Sequence, residues 1–170
     1  MRLFPLLATP LLAACAVSGM QAPAVQLGAQ PVRHTIQLDA ALRDCLVRSL
    51  SDGTTPALRL HLESIHAEQA RSLKGVRVLL GPTDAELSDA PDGAHALGAF
   101  VLGLSPGESQ VWNLGPLLMK QWSAGERAWS QHGSLQLRFL PEPWDGMQLD
   151  AAFRLDIERV RVEAPGCAEG

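Results

Sequence analysis

Five histidines, His34, His61, His66, His95 and His132, are the side chains of this 170-residue chain best suited to hold a metal or move a proton. Their spacing argues against a shared site. His61 and His66 are the closest pair, and on one continuous strand their odd separation puts them on opposite faces. His61 shares a face with Arg59 and Glu63, the pattern of a solvated or partner-facing edge. His34, His95 and His132 fall near strand ends or loops and are expected to be exposed to solvent. Asp84, Glu86, Asp89 and Asp92 form an acidic stretch without the spacing of a calcium loop, so it reads as a solvated loop. Ser105-Pro106-Gly107 reads as a turn and not as the setting of a serine nucleophile. No phosphate-binding Gly-rich loop ending in Gly-Lys occurs. The sequence therefore assigns no catalytic residue, no metal site and no cofactor.

Cysteine chemistry is more legible. Leu12-Ala13-Ala14-Cys15 follows the short apolar run from Leu3 to Leu12, with Arg2 ahead of it. The arrangement resembles a bacterial lipobox, in which the Cys15 thiol is acylated and residues 1–14 are removed as a signal peptide. The alternative is an ordinary cleaved signal peptide with an incidental cysteine. A run this short does not span a bilayer, which takes about 20 apolar residues. Acyl chains anchor by about 0.8 kcal/mol per buried methylene, and more than one chain makes the hold stable. Ala16, where an Asp would suggest retention at the inner membrane, points to an outer-membrane lipoprotein facing the periplasm if the cell is Gram-negative. Cys45 and Cys167 then remain. In an oxidising envelope they are expected to pair as a disulfide, the alternative being two separate thiols.

Loss of Arg2 leaves 13 Lys+Arg against 18 Asp+Glu, a net charge of −5, with no basic block and no basic–aromatic stripe. That excludes a nucleic-acid-binding surface and makes the lipid the only membrane contact. Residues 15–30, with Pro23 and Gly28 and no sustained period, read as an acylated cysteine and flexible tether. Residues 31–170 read as one β-sandwich domain. Alternation at period two marks strands at Val32–Leu38, Leu58–Glu63, Val76–Leu80 and Leu135–Phe139. Leu97–Leu104 is a more continuous apolar run and Ser109–Leu114 a shorter segment. In the last strand Phe153, Leu155 and Ile157 change parity to Val160 and Val162, which predicts a bulge near Glu158-Arg159. Asp39 caps a predicted helix to about Ser49, and Pro116 opens a second over Gly115–Trp122. The fold class is all-β: a single antiparallel sandwich of about seven strands with one or two short helices.

From Leu58 onward the motifs follow an order that resembles the small C-terminal β-sandwich of polyphenol oxidases and tyrosinases. Leu58–Ile65 resembles its opening strand. Gly75–Gly81 resembles the strand carrying that family's Lys-Phe-Asp-Val signature, although the tetrad is absent. Leu97-Gly98-Ala99-Phe100-Val101 resembles its Gly-x-Phe strand, and Trp112–Leu118 its strand-to-helix step. Leu135–Pro141 and Ile157–Glu163 resemble its last two strands. The copper domain of that family is not part of the resemblance, and its dicopper site takes six imidazoles against five here. The resemblance therefore implies a shield-like partner domain and carries no oxidase activity.

Trp112 is expected in the core. Trp144, within Pro141-Glu142-Pro143-Trp144-Asp145-Gly146, is the first candidate for partner binding, followed by Trp122 and Trp129. A Trp on such a turn either closes the end of the sandwich or anchors an interface. The expected function is a non-enzymatic, membrane-anchored, protein-binding lipoprotein that covers or assists a tyrosinase-like copper oxidase in trans. The rival is a structural lipoprotein docking onto an envelope secretion or transport complex. Substituting Cys15→Ser is expected to abolish acylation and leave an unprocessed N-terminus. Membrane partitioning of a correctly processed mutant, read by flotation and intact mass, would contradict the anchor.

Overall fold

The computed structural model of the chain describes residues 19–22, 24–82, 95–101 and 107–167. Alternating apolar residues build two antiparallel sheets whose inner faces meet in one core. The first sheet contains β1 (Gly19–Ala22), β2 (Val25–Leu27), β4 (Arg59–Glu68), β7 (Glu108–Asn113) and β9 (Arg154–Glu163). β1 and β2 lie end to end along one flank of β9, followed across the sheet by β4 and β7. The second sheet runs β3 (Val32–Gln37), β8 (Ser134–Pro143), β5 (Leu73–Pro82), β6 (Ala96–Phe100). Each sheet is thus four strands wide. The all-β sandwich is as expected, with more strand segments.

The segment expected to be a tether is partly structured. β1 and β2 occupy Gly19–Leu27, and Val25 and Leu27 are buried with Gln26 pointing out. Three alternating residues are too few to stand out in a sequence. The apolar flank of β9 nevertheless gives them a place to pair and a core to enter.

The parity change predicted in β9 occurs, and β4 makes the same change. Leu60, Leu62 and Ile65 are buried in β4 opposite Val162, Val160 and Ile157 in β9. Ser64, with φ 55°, and Glu158 interrupt the two strands at the same level, and pairing resumes beyond them in unchanged register. β7 carries no extra residue there, so its register with β4 slips between Leu62 and Ile65.

Among the described residues three short helices cross one end of the sandwich, where one or two were expected. α1 (Ala40–Ser51) starts at Asp39, whose carboxylate accepts a hydrogen bond from the Leu42 amide at 2.7 Å. Its buried stripe is Leu42, Leu46 and Leu50, the spacing of one helical face. α2 (Gly115–Ser123) begins where the chain leaves β7, and Leu114 N donates to Leu58 O at 2.8 Å. A Cβ on Gly115 would lie 2.0 Å from the Pro56 carbonyl oxygen, so the close approach requires glycine. α3 (Ala128–His132) was not anticipated, since five residues hold too little period to read.

Cys45 on α1 is bonded to Cys167 in the 3-10 turn Pro165–Cys167, with Cα atoms 5.7 Å apart. The bridge closes a loop of 122 residues and holds the chain's last described turn against α1. Replacing both cysteines with serine is expected to lower the unfolding free energy by roughly 2–4 kcal/mol, the usual scale for a bridge over a long loop. Denaturant titration checks the size, and alkylation of unreduced, denatured protein should find neither thiol.

Candidate functional site

The end opposite α1 and α2 carries two of the exposed large apolar side chains among the described residues, Trp144 and Met147, on a fixed support. Pairing of β3 with β8 stops at Phe139, so Pro141 and Pro143 lie where one flank of β8 is open. There a missing N–H breaks no ladder bond. The Trp144 amide then donates to Ser72 O at 3.0 Å, tying the turn to the start of β5. Asp145-Gly146 reverses the chain, with Gly146 at φ 76°, and Met147 N donates back to Trp144 O at 2.9 Å. Trp144 is 49% and Met147 55% exposed. Beside them a shallow groove of about 330 Å³ is lined by Ala29, Gln30, Pro141, Pro143, Met147 and Leu149, among others. The rest of the loop is pinned. Asp150 accepts from Ala152 N at 2.8 Å and Phe153 N at 2.9 Å, and the Phe153 ring is wholly buried.

The other two candidate tryptophans lie in a different setting, at α2 and α3. Trp129 is fully buried in the core, so it cannot meet a partner in the folded state. Its ring lies 6.0 Å from that of Trp122, which is half-buried against the same core. The Arg127 guanidinium sits 4.3 Å over the Trp122 ring and covers its outer side. α3, unread in the sequence, is what turns Trp129 inward. Trp112 packs on the core as expected, 5.9 Å from the Phe100 ring. Met147 was not foreseen. Its signal is the three-residue spacing from Trp144 across Asp145-Gly146, which brings both side chains out of one turn.

The histidines need correction. Ser64 adds a residue to β4, so His61 and His66 both face outward instead of lying on opposite faces. Each has its own carboxylate, His61 Nε2 being 3.0 Å from Glu163 Oε2 and His66 Nε2 3.4 Å from Glu158 Oε1. The outer face of β4 and β9 is an ion-pair ladder in which Glu63 holds Arg161 at 3.0 Å and Arg159 at 3.1 Å, and Arg161 also pairs with Glu163. The hydrogen bond from Arg161 keeps the Glu63 carboxyl below its usual range. Burial, followed by the nearby Arg161 charge, lowers the His61 pKa. His34 is half-buried on the inner side of β3, where burial lowers its pKa. His95, expected at the surface, is only 7% exposed, and its Nε2 lies 2.9 Å from Glu126 Oε2. His132 is exposed.

Among the described residues no group of three or more His, Cys, Asp or Glu side chains gathers as a metal site. Among them, too, no helix is long and apolar enough to cross a membrane. Cys15, the acidic stretch Asp84–Asp92 and Ser105 lie outside the described residues. Gly103-Leu104-Ser105-Pro106-Gly107 does match the letters of a nucleophile-elbow motif. Such an elbow joins a strand to a helix, whereas this segment falls between strands β6 and β7.

The roles of the tryptophans separate in stability. Trp129→Ala is expected to cost about 3–5 kcal/mol through lost burial and a cavity. Trp144→Ala should stay within roughly 0.5 kcal/mol, as for surface positions outside the core. Denaturation midpoints of the two variants measure the difference.

No family model matches the chain, and no curated protein sequence matches it. Solved structures do. A recombinantly expressed latent aurone synthase, a polyphenol oxidase co-crystallised with hexatungstotellurate(VI), aligns with TM-score 0.50 at 14% identity, over 79% of this chain and 24% of that one. The same protein soaked in H2O2 gives TM-score 0.51 at 13% identity, over 82% and 26%. Latent apple tyrosinase is more distant, with TM-score 0.43 at 14% identity, over 83% and 26%. At such identities the likeness concerns the fold alone. The chain spans about a quarter of the polyphenol oxidase chains it resembles. The chain therefore has the fold of the small polyphenol oxidase β-sandwich, as the order of its strand motifs implied.

Proposed function

We propose that the chain is a membrane-anchored envelope lipoprotein whose sandwich is a non-catalytic protein-binding module. Its contact surface is the Trp144–Met147 turn, and its partner is a tyrosinase-like copper oxidase that it covers or assists in trans. The observation carrying this reading is the half-exposed Trp144 on a turn fixed by two prolines and a backbone hydrogen bond to Ser72. A large aromatic held still loses little entropy on docking, and such residues dominate interface energies. The adjoining groove, walled by Pro141, Pro143, Met147 and Leu149, offers an apolar seat for a partner's side chain. The fold shared with part of the polyphenol oxidases supports the choice of partner.

A pull-down from envelope extract, with wild type and Trp144→Ala as baits, tests the proposal. Loss of a central Trp costs about 2 kcal/mol or more, so affinity should fall by roughly thirtyfold. Copper in the captured wild-type partner, together with that loss, is the expected result. Capture of a secretion or transport assembly instead would favour the structural rival. Phenol turnover by the purified domain would contradict a purely binding role.

A further inference from the structure

The two ends of the sandwich differ in what they could face. Gly19, Glu163, Arg59 and Asn113 form one row across the first sheet, at the end closed by α1 and α2. The Trp144 turn belongs to the other end, where β8 passes to β9 and β4 to β5. The ten-residue strands β4 and β9 separate the ends by roughly 30 Å at the usual rise per residue. Cys15 lies four positions before Gly19, a span of at most about 14 Å however the chain runs. β1 enters the sheet at the α1–α2 end, with its axis pointing out of that end.

We infer that the α1–α2 end rests on the lipid headgroups and that the Trp144 end is held outward, away from the bilayer. This rests on acylation of Cys15. A free tether of residues 16–30 would let the domain tumble, whereas pairing of Gly19–Ala22 with β9 leaves only residues 16–18 between Cys15 and the sheet. The surface set against the lipid has mixed charge. α1 presents Asp44 and Arg48 to solvent, and α2 presents Pro116 and Lys120. Contact with headgroups is therefore imposed by the leash and does not require electrostatic attraction.

The chain supplies its own reporters. Its two lysines are Lys74, the second residue of β5 at the Trp144 end, and Lys120, on the exposed side of α2. The experiment labels amines on the full protein, purified from membranes and reconstituted in phosphatidylethanolamine–phosphatidylglycerol vesicles, with soluble Cys15→Ser protein lacking residues 1–14 as reference. Labelling of Lys120 should fall several-fold on vesicles while Lys74 keeps its soluble rate. Inserting about 20 Gly/Ser residues after Val17, with a reach of about 25 Å, should restore Lys120. An acylated protein that floats with the vesicles but keeps the soluble ratio, or protects Lys74 as well, overturns the orientation and leaves the lipoprotein reading intact. A mass showing no acyl group overturns both.

Discussion

Two ten-residue strands lie side by side in the middle of the first sheet, and each must keep its apolar side chains on one face for its whole length. In β4 and β9 the sequence does not alternate throughout, because each has one residue too many near its centre. An extra residue in one strand alone would turn everything beyond it to the wrong face. Ser64 and Glu158 fall at one level, so the two strands change face together, and the gap between β1 and β2 lies at that level too. That coincidence keeps Ile65, Leu155 and Phe153 in the core. Phe153 in turn pins the loop from which Trp144 and Met147 project. The surface proposed for binding therefore depends on an irregularity more than 10 Å away along the strand.

Much of this was legible from residue types. The strands at Val32–Leu38, Leu58–Glu63, Val76–Leu80 and Leu135–Phe139 declared themselves by alternation, α1 by Asp39 and its leucine stripe, and α2 by Gly115-Pro116. The Cys45–Cys167 pair followed from counting thiols. What could not be read depended on neighbours in space. β1 and β2 are too short to show a period and exist because β9 offers a flank. The single face shared by His61 and His66 depends on Ser64 adopting a left-handed backbone, which no local signal at a serine announces. His95 looked like a loop residue and is buried because the α2–α3 connection brings Glu126 to it.

The tryptophans show the same limit. Trp122, Trp129 and Trp144 all stand in segments with weak strand character, and sequence alone ranks them by their surroundings. Prolines around Trp144 correctly signalled a fixed turn. Nothing signalled α3, whose five residues turn Trp129 inward and place Arg127 over Trp122. A short helix that exists because of the core beneath it leaves little trace in its own residues.

The position of β1 has a mechanical consequence. A load applied between Gly19 and the Trp144 turn runs parallel to the strands, because the two points lie at opposite ends of the same sandwich. The backbone hydrogen bonds joining β1 and β2 to β9 are then strained sideways, in shear, and share the force. Peeling would break them one after another. The chain thus enters its fold in the geometry that best resists being pulled out of it.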